Sequence, residues 1–584
     1  MNEYKLLIPI VGGDTSVHPA HLIKGISNDD LSGARIVFIN MPLRESAPPV
    51  VTPEGPLLLA TNLIQNYGVS ATIVDLNGYR IKDELAKKRN LPNGRHLTYE
   101  EARELIETHI RVHGTPDLVG FSGKITTLRW QENVAKIIRK ILPEVFLVSG
   151  NGLATELKTG LFNYIPELDA VARSEGDDVI IKIVHDAMLI KKMGISSAAA
   201  SGKLKPYYLG EIQGRHRFLY EGNRPLNLDA IPFADLELIK KDVLGNEILE
   251  NYLASPIWGT AANNSSATPF TMNRSTSFVS SRGCPYACAF CYRGQQGERN
   301  YGVRSAANIA EQMKQHIEKY NVDFIGMPDD NFAVDYQRCK DLVPLLKPLK
   351  IRWGTLTRLD NAAGLRVKDG TYIFEDPKRI DLMAEAGCVY IGVGAESASP
   401  RVLTAMEKGG FILQNGLVET KVDGKTYQFP RTMIEGIRNC NLAGIHINCT
   451  WIMAYPMETL EDLKISVAFI KWQEDFYRSI GKPPESVNKR MFTATWYPGT
   501  TMQYQPKVER LLNEVFGLTF NKRTREPICD ENFHQYVLEL DDATKILHDP
   551  KTGQPLNFGE MPMDVFLKAR ECVDTGQTYK ILEM

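Results

Sequence analysis

The sequence predicts an α/β protein with a Rossmann-like, doubly wound amino-terminal domain, a partial (β/α)6 barrel and a small carboxyl-terminal extension. Apolar strands alternate with helices from about Ala34 to Val184, and the alternation resumes at Ser275 for six strand–helix units. Between these stretches the pattern weakens into segments rich in small polar residues, which are typical of connectors. We therefore expect an amino-terminal extension (1–33), the Rossmann-like domain (34–190), a linker region (191–273), the barrel (274–503) and the carboxyl-terminal extension (504–584).

The charge and hydropathy of the chain disfavour several classes of partner. The 584 residues carry a formal net charge of -2 and no basic arm, so nucleic acid is not expected to bind. No apolar run approaches the roughly 18 residues of a membrane-spanning helix. The first residues also lack the basic and apolar regions of a signal peptide. We expect a cytoplasmic protein with no membrane partner, and a monomer.

Four strands of the first domain end in loops rich in Gly, Ser and Pro. They are found in the segments RIVFINMP, SATIVDLNG, DLVGFSG and EVFLVSGNG. In a parallel sheet of this kind, ligands bind beyond the carboxyl ends of the strands. The sequence therefore predicts a ligand site along that edge of the domain.

Six strands of the barrel follow in order, in the segments TSFVSS, VDFIGMPDD, IRWGTLT, VYIGVGAES, IHINCTWIMA and MFTATWYPG. Ser305 is placed to cap the helix after the first strand. Two insertions, LRVKDGTYIF and LVETKVDGKTYQF, each place Asp-Gly between alternating residues, which predicts β-hairpins after the third and fourth strands. Catalysis in such barrels takes place at the carboxyl ends of the strands, so both hairpins are expected near the catalytic rim.

Three of the nine cysteines lie close together, and none precedes Cys284. The spacing C-x3-C-x2-C at Cys284, Cys288 and Cys291 begins just after the first barrel strand. Three thiolates leave one iron of a [4Fe–4S] cluster without a protein ligand, which is the open position that chemistry on a bound molecule needs. A zinc site is the alternative, but it requires a fourth Cys or His at close spacing, and none occurs between Ser275 and Lys314.

This cysteine motif is similar to that of the radical S-adenosylmethionine (SAM) superfamily. The resemblance implies that the open iron chelates SAM and that an electron from the cluster cleaves SAM to a 5′-deoxyadenosyl radical. It further implies SAM contacts from Phe290, Asp330, Arg358 and Glu396, with Phe290 against the adenine. The segments YPMET and WYPGT also resemble family motifs, although Met457 replaces the usual first glycine.

The first domain resembles the cobalamin-binding domain that precedes the barrel in one large subgroup of this superfamily. The similarity lies in TPEGPLLLATNLIQNYGVSATIVDLNG, PDLVGFSG, FLVSGNGLAT and ELDAVARSEGDD, in the same order. It implies a cobalamin site lined by Pro53, Gly55, Ser122, Gly150, Gly152, Glu175 and Gly176.

Other ligands of the first domain remain alternatives. The domain could bind another nucleotide or nothing, although no G-x-G-x-x-G fingerprint follows the first strand. The second cluster of the related methylthiotransferases is excluded, because no cysteine precedes Cys284. The D-x-H-x-x-G motif is absent, and His18 and His21 precede the first strand. A bound cobalamin is therefore expected to have no histidine on its lower face.

The resemblance implies a cobalamin-dependent radical SAM methyltransferase. Such an enzyme methylates an unactivated carbon through the 5′-deoxyadenosyl radical and methylcobalamin, on a small molecule or on a protein or peptide residue. A cobalamin-dependent cyclase or ring-rearranging enzyme, like the anaerobic porphyrin cyclases, is the alternative. A non-catalytic cobalamin or redox sensor is a third hypothesis. We also expect an electron donor such as flavodoxin or ferredoxin.

Overall fold

The computed structural model divides the chain into two compact units. The amino-terminal unit comprises Gly13–Ser255 and Leu518–Lys545, and the barrel unit contains Pro256–Gly517 and Ile546–Met584. The structure describes residues 25–43, 52–88, 90, 97–254, 271–292, 300–368, 371–540 and 546–584. Within these residues no helix is both long and apolar enough to span a bilayer.

The amino-terminal unit is built on a seven-stranded sheet in the order β2-β1-β3-β4-β5-β7-β6. Pairing is parallel except for the edge strand β6, which runs antiparallel to β7. The reversal of strand order between β1 and β3 creates the switch point at which such sheets bind ligands. The predicted Rossmann-like fold is confirmed. The strands are β1 (Arg35–Asn40), β2 (Ser70–Asp75), β3 (Leu118–Ser122), β4 (Phe146–Gly150), β5 (Ala170–Arg173), β6 (Tyr208–Ile212) and β7 (Arg215–Glu221).

Helices connect these strands and carry clear sequence signals. Thr98 and Glu101 form a capping box at the start of one helix. Trp130, Val134 and Ile138 form the buried face of another, at the spacing of an amphipathic helix. The helices are Asn28–Leu31, Glu54–Tyr67, Leu76–Lys88, Tyr99–His113, Leu128–Ile141, Asn151–Leu157, Leu161–Tyr164, Val179–Met193, Ile195–Ala200, Ile248–Leu253 and Glu531–Glu539.

The region 191–273 differs from the predicted linker, because β6 and β7 lie within it and extend the sheet. Phe218 and Tyr220 of β7 are buried, and the turn between the strands uses Gln213 and Gly214, both with positive φ. Two successive residues in that conformation are what a two-residue hairpin needs. The sequence signal for this hairpin was short and polar, so the sequence did not predict these two strands. Residues 255–270 lie outside the described part of the chain.

The carboxyl-terminal extension, expected over 504–584, is divided between the two units. Leu518–Lys545 belongs to the amino-terminal unit, where the ring of His534 stacks on Tyr164 at 4.5 Å and its Nε2 bonds Glu132. Ile546–Met584 belongs to the barrel unit. The expected single extension is therefore corrected to two segments with different partners.

The barrel unit contains a sheet of six parallel strands in the order β19-β18-β15-β12-β11-β8, which confirms the predicted partial barrel. Three two-stranded sheets accompany it: β9 with β10, β13 with β14 and β16 with β17. The last two are the hairpins predicted from Asp-Gly. The strands are β8 (Ser275–Ser277), β9 (Ser281–Arg282), β10 (Gly302–Val303), β11 (Phe324–Met327), β12 (Arg352–Thr357), β13 (Leu365–Lys368), β14 (Thr371–Phe374), β15 (Cys388–Glu396), β16 (Leu417–Val422), β17 (Lys425–Pro430), β18 (His446–Met453) and β19 (Met491–Thr493).

The helices of the barrel unit follow its strands. Ser305 accepts a hydrogen bond from the backbone N–H of Asn308 at 3.2 Å, so the predicted cap is present. Close packing of the strands requires small residues. At Gly354, for example, a Cβ would lie 3.0 Å from Phe324 and from Tyr390. The helices are Ala306–Tyr320, Tyr336–Leu346, Leu359–Ala362, Arg379–Glu385, Pro400–Ala405, Gly409–Ile412, Arg431–Leu442, Leu460–Ser479, Pro506–Phe516 and Met563–Asp574.

A buried ion pair holds the end of the β13–β14 hairpin to the barrel. Glu375, directly after β14, accepts hydrogen bonds from Arg379 Nε at 2.8 and 2.9 Å. The same guanidinium donates to the carbonyl of Ala333, and both charged side chains are at most 4% exposed. Removing one partner would leave the other charge buried and uncompensated.

We predict that Arg379→Ala lowers the free energy of unfolding of the barrel unit by about 3–5 kcal/mol, because Glu375 then loses its buried counter-charge. Urea unfolding followed by tryptophan fluorescence measures the change, since Trp353, Trp451 and Trp496 are buried in this unit. Arg438→Ala is the control. Its ion pair with Glu435 at 3.7 Å is exposed to solvent and should contribute at most about 1 kcal/mol. Equal effects of the two substitutions would contradict the prediction.

The turn after β18 is held by a buried carboxyl group. Glu458 Oε2 accepts a hydrogen bond from the backbone N–H of Ala454 at 2.6 Å, while Oε1 has no hydrogen-bond partner among the described residues. Ala454 and Met457 both adopt positive φ, at 59° and 72°. Met457 thus takes a glycine-like conformation at the position where the family motif has glycine. Burial raises the pKa of Glu458 to about 8.

Since the pKa of Glu458 is raised on folding from about 4.5, the folded state keeps a proton that the unfolded state loses as the pH rises. The contribution of Glu458 to stability is therefore present below about pH 4.5 and is lost as the pH rises toward 8. We predict that wild-type protein loses up to about 1.4 kcal/mol per pH unit relative to Glu458→Gln in this window. Thermal unfolding between pH 5 and 9 measures the difference. Glu461→Gln, which changes an exposed carboxylate, is the control, and its unfolding temperature should change with pH as that of wild type does. The same pH dependence in Glu458→Gln and wild type would refute the prediction.

Candidate functional site

The predicted cluster ligands lie on one loop, directly after β9, and the structure ties this loop to its neighbours through backbone hydrogen bonds. Gly283 N donates to Asp330 Oδ2 at 3.1 Å, and Ala289 N donates to the carbonyl of Met406 at 3.0 Å. A turn closes the loop, with Cys291 N donating to the carbonyl of Cys288 at 3.1 Å. Asp330, predicted as a SAM contact, thus has a loop-holding role in this structure.

Two polar side chains donate toward the cysteine sulfurs. Asn331 Nδ2 lies 3.8 Å from Cys284 Sγ, and Arg358 Nη1 lies 3.4 Å from Cys288 Sγ. Partial removal from water by the surrounding protein raises the pKa of Cys284 and that of Cys291, although Cys291 reaches the surface. Thiolates at these positions therefore need positive partners. Iron supplies such a partner and N–H donors supplement it, so the donor set fits an iron–sulfur cluster.

The arrangement of these residues also bears on the zinc alternative. In the part of the chain that the structure describes, no three His, Cys, Asp or Glu side chains surround a position for a single ion. A cubane differs in this respect, because each of its cysteines binds a different iron.

A buried network of hydrogen bonds fixes the residues that follow β11. Asp329 accepts from Ser280 N at 2.7 Å and from the hydroxyls of Ser280 and Ser281 at 2.6 Å each. Asn331 Oδ1 accepts from Thr357 Oγ1 and Asn361 Nδ2, both at 2.9 Å. With its oxygen held in this way, the amide of Asn331 presents its nitrogen to Cys284.

Lys408 joins three of the predicted SAM residues. Its Nζ forms an ion pair with Glu396 at 3.2 Å and lies 5.8 Å from the ring centroid of Phe290. Its carbonyl accepts from Arg358 Nη2 at 3.4 Å. Lys408 was not predicted from the sequence, although a lysine before two glycines, shortly after the strand that ends at Glu396, could have indicated it. The opposite charges of Lys408 and Glu396 match the charges of an amino acid zwitterion.

Two further features mark this edge of the barrel. The ring of Tyr455, directly after β18, lies 6.2 Å from that of Phe290 in an edge-to-face contact. Tyr455 is fully buried, and its hydroxyl has no hydrogen-bond partner among the described residues. Glu396, at the end of β15, adopts a positive φ of 63°. Such backbone conformations are uncommon for residues with a Cβ and often occur at functional sites.

The residues predicted to line a cobalamin site all lie at the carboxyl edge of the amino-terminal sheet. Because the strands are parallel, the loops after β1, β3, β4 and β5 emerge at the same edge. Pro53 and Gly55 begin the helix after β1, Ser122 ends β3, Gly150 and Gly152 stand at the junction after β4, and Glu175 and Gly176 follow β5.

Contacts along this edge show which of its positions are open. A Cβ at Gly55 would meet no atom within 4 Å, so there is space beside it. Ser122 Oγ accepts from Asn151 Nδ2 at 3.2 Å, and Glu175 pairs with the buried Arg224 at 2.9 Å. Asn151 has a positive φ of 71°. Small residues, an open position and available hydroxyl and amide groups fit a large, mostly neutral ligand. His18 and His21 lie outside the described residues.

A family model and several known proteins match this chain. The model of the radical SAM superfamily matches residues 278–470. An uncharacterised methyltransferase of Pyrococcus horikoshii is 24% identical over 70% of this chain and 72% of the relative. An anaerobic magnesium-protoporphyrin IX monomethyl ester cyclase of Cereibacter sphaeroides is 21% identical over 70% of this chain, which spans 55% of the cyclase.

The fold is also similar to that of a solved structure. The cobalamin-dependent S-adenosylmethionine radical enzyme OxsB, with aqua-cobalamin bound, matches with a TM-score of 0.56 and 15% identity. The match covers 85% of this chain and 64% of OxsB. Residues 278–470 therefore form a radical SAM domain, and the fold of the chain is similar to that of this cobalamin-dependent enzyme.

Proposed function

We propose that this protein is a cobalamin-dependent radical SAM methyltransferase that acts on an unactivated carbon of a small molecule or of a protein or peptide residue. The observation that carries this proposal is the three-cysteine loop at the carboxyl end of a partial barrel, with the buried Lys408–Glu396 pair among the residues that contact it. The similarity to a methyltransferase and to the fold of a cobalamin-dependent enzyme supports it.

When bound, the cluster and cobalamin would supply an electron for SAM cleavage and a methyl group for transfer. Cys284, Cys288 and Cys291 would hold the cluster and leave its fourth iron to the amino and carboxylate groups of SAM. Glu396 would accept a hydrogen bond from the SAM ammonium group, and Lys408 would bind the carboxylate. Phe290, with Tyr455 at its edge, would face the adenine. The predictions that Asp330 and Arg358 contact SAM stay predictions.

The amino-terminal unit would bind cobalamin at the carboxyl edge of its sheet. Gly55 and Gly150 would allow the ligand to approach the backbone closely, since neither position has a side chain to exclude it. Ser122 would offer a hydroxyl group, and the Glu175–Arg224 pair would hold the loop after β5. An electron donor such as flavodoxin or ferredoxin is the expected partner.

A cyclase is the second candidate, favoured by the match to the anaerobic magnesium-protoporphyrin cyclase. It would use the same residues for the same cofactors, so the two functions differ only in what happens to the substrate. By-products distinguish them. A methyltransferase forms S-adenosylhomocysteine as well as 5′-deoxyadenosine, whereas a cyclase does not consume the methyl group of SAM. The sensor hypothesis would be excluded by either product.

We predict that anaerobic reconstitution with iron, sulfide and hydroxocobalamin gives about four irons and one cobalt per chain. Replacing Cys284, Cys288 and Cys291 together by Ala should remove the iron but keep the cobalt, because the proposed cobalamin residues lie in the other unit. Metal analysis and the visible spectrum measure both. Cys440→Ala, at a buried cysteine of the helix Arg431–Leu442, is the control and should keep the iron. Iron without cobalt in wild type would refute the cobalamin part of the proposal.

We predict that Lys408→Met weakens SAM binding by about 1.5–3 kcal/mol, which is roughly one to two orders of magnitude in Kd, because a charge-assisted hydrogen bond to the carboxylate is lost. Anaerobic equilibrium dialysis with the cluster-loaded protein measures Kd. Lys482→Met is the matched control, since this half-buried lysine donates to Asn441 alone among the described residues. An unchanged Kd for Lys408→Met would exclude Lys408 from the SAM site.

A further inference from the structure

The guanidinium group of Arg358 lies against the cysteine loop rather than open to a ligand. Arg358 stands directly after β12 and is 7% exposed. Its Nε pairs with Asp360 at 2.9 Å, its Nη1 donates to Cys288 Sγ at 3.4 Å, and its Nη2 donates to the carbonyl of Lys408 at 3.4 Å. Its planar face covers the ring of Tyr286, with Cζ 3.9 Å from the ring centroid.

These contacts orient the guanidinium group of Arg358 toward the cysteine loop. Each of its three nitrogens already has a partner, and one planar face is stacked on an aromatic ring of the cysteine loop itself. Lys408, in contrast, directs its ammonium group at Glu396. The two cations thus have different surroundings, the arginine near a cluster ligand and the lysine near the expected amino acid end of SAM.

We propose that Arg358 is a positioning residue that raises the reduction potential of the cluster. This inference rests on the proposed function. One-electron reduction adds negative charge to the cluster and its thiolates, and a buried cation 3.4 Å from Cys288 Sγ stabilises that added charge. The N–H···S hydrogen bond acts in the same direction. Asp360 opposes the effect, because its carboxylate offsets part of the arginine charge.

Reduction takes one electron from an external reductant, such as a reduced viologen in the test, and delivers it to the cluster. No covalent bond forms or breaks. Arg358 neither gains nor loses a proton, because a guanidinium stays charged in proteins. Its role is to change how readily the electron is accepted.

The test is an anaerobic redox titration of reconstituted protein, with viologen mediators and electron paramagnetic resonance of the reduced cluster. Arg358→Gln removes the charge and should lower the midpoint potential. At the wild-type midpoint, the ratio of reduced to oxidised cluster should fall about tenfold, which is about 59 mV for a one-electron couple. Arg358→Lys keeps the charge, so its potential should stay close to that of wild type. Asp360→Asn removes the opposing charge and should shift the potential upward.

The opposite shifts in Arg358→Gln and Asp360→Asn separate an electrostatic role from a structural one. Arg570→Gln is the control, since this buried arginine pairs with Asp574 and contacts the sulfur of no cysteine in the described structure. If Arg358→Gln does not retain iron, the midpoint potential of Asp360→Asn relative to wild type tests the inference instead. Unchanged potentials in the iron-loaded variants would overturn the inference. A wild-type protein without a four-iron signal would instead refute the proposed function.

Discussion

Three thiol groups on a single loop, which the protein partly shields from water, are the constraint on which the barrel unit depends. A thiolate without a positive partner is unstable in such surroundings, as the raised pKa values of Cys284 and Cys291 indicate. Residues in neighbouring segments of the barrel unit contact this loop. Asp330 and Met406 hold the loop backbone, while Asn331 and Arg358 direct N–H groups at sulfur. The polar residues after β11 and β12 therefore hold and orient the cysteine loop.

Parallel pairing imposes a second constraint, which acts separately in each unit. Strands that run in the same direction deliver their following loops to one edge, so residues far apart in sequence become neighbours there. The edge of the barrel gathers Phe290, Glu396, Lys408 and Tyr455, and that of the amino-terminal sheet gathers the loops around Ser122 and Gly150. Non-glycine residues with positive φ occur at both edges, at Glu396 and Asn151. Both edges where ligands are expected therefore include a residue in this uncommon backbone conformation.

Sequence patterns predicted the features that arise from local chemistry. The Asp-Gly pairs predicted both hairpins, and the alternation of strands and helices predicted the two sheets, because each signal is contained in a short segment. Features that depend on distant contacts were missed. The region 191–273 contributes β6 and β7, and Lys408 becomes significant only when folding places it beside Glu396. Arg358 was predicted from its motif, but its orientation toward Cys288 and Tyr286 is a tertiary property.

The return of Leu518–Lys545 to the amino-terminal unit has a consequence for the order of folding in the cell. A ribosome completes Gly13–Ser255 about 260 residues before it reaches this segment. At roughly 5–20 residues per second, the delay is about 13 to 50 seconds. During that time the contacts of His534 with Tyr164 and Glu132 cannot form, because His534 has not yet been synthesised. The nascent amino-terminal unit therefore lacks this segment while the barrel is still being synthesised. The amino-terminal unit is therefore completed only after most of the barrel unit has been synthesised.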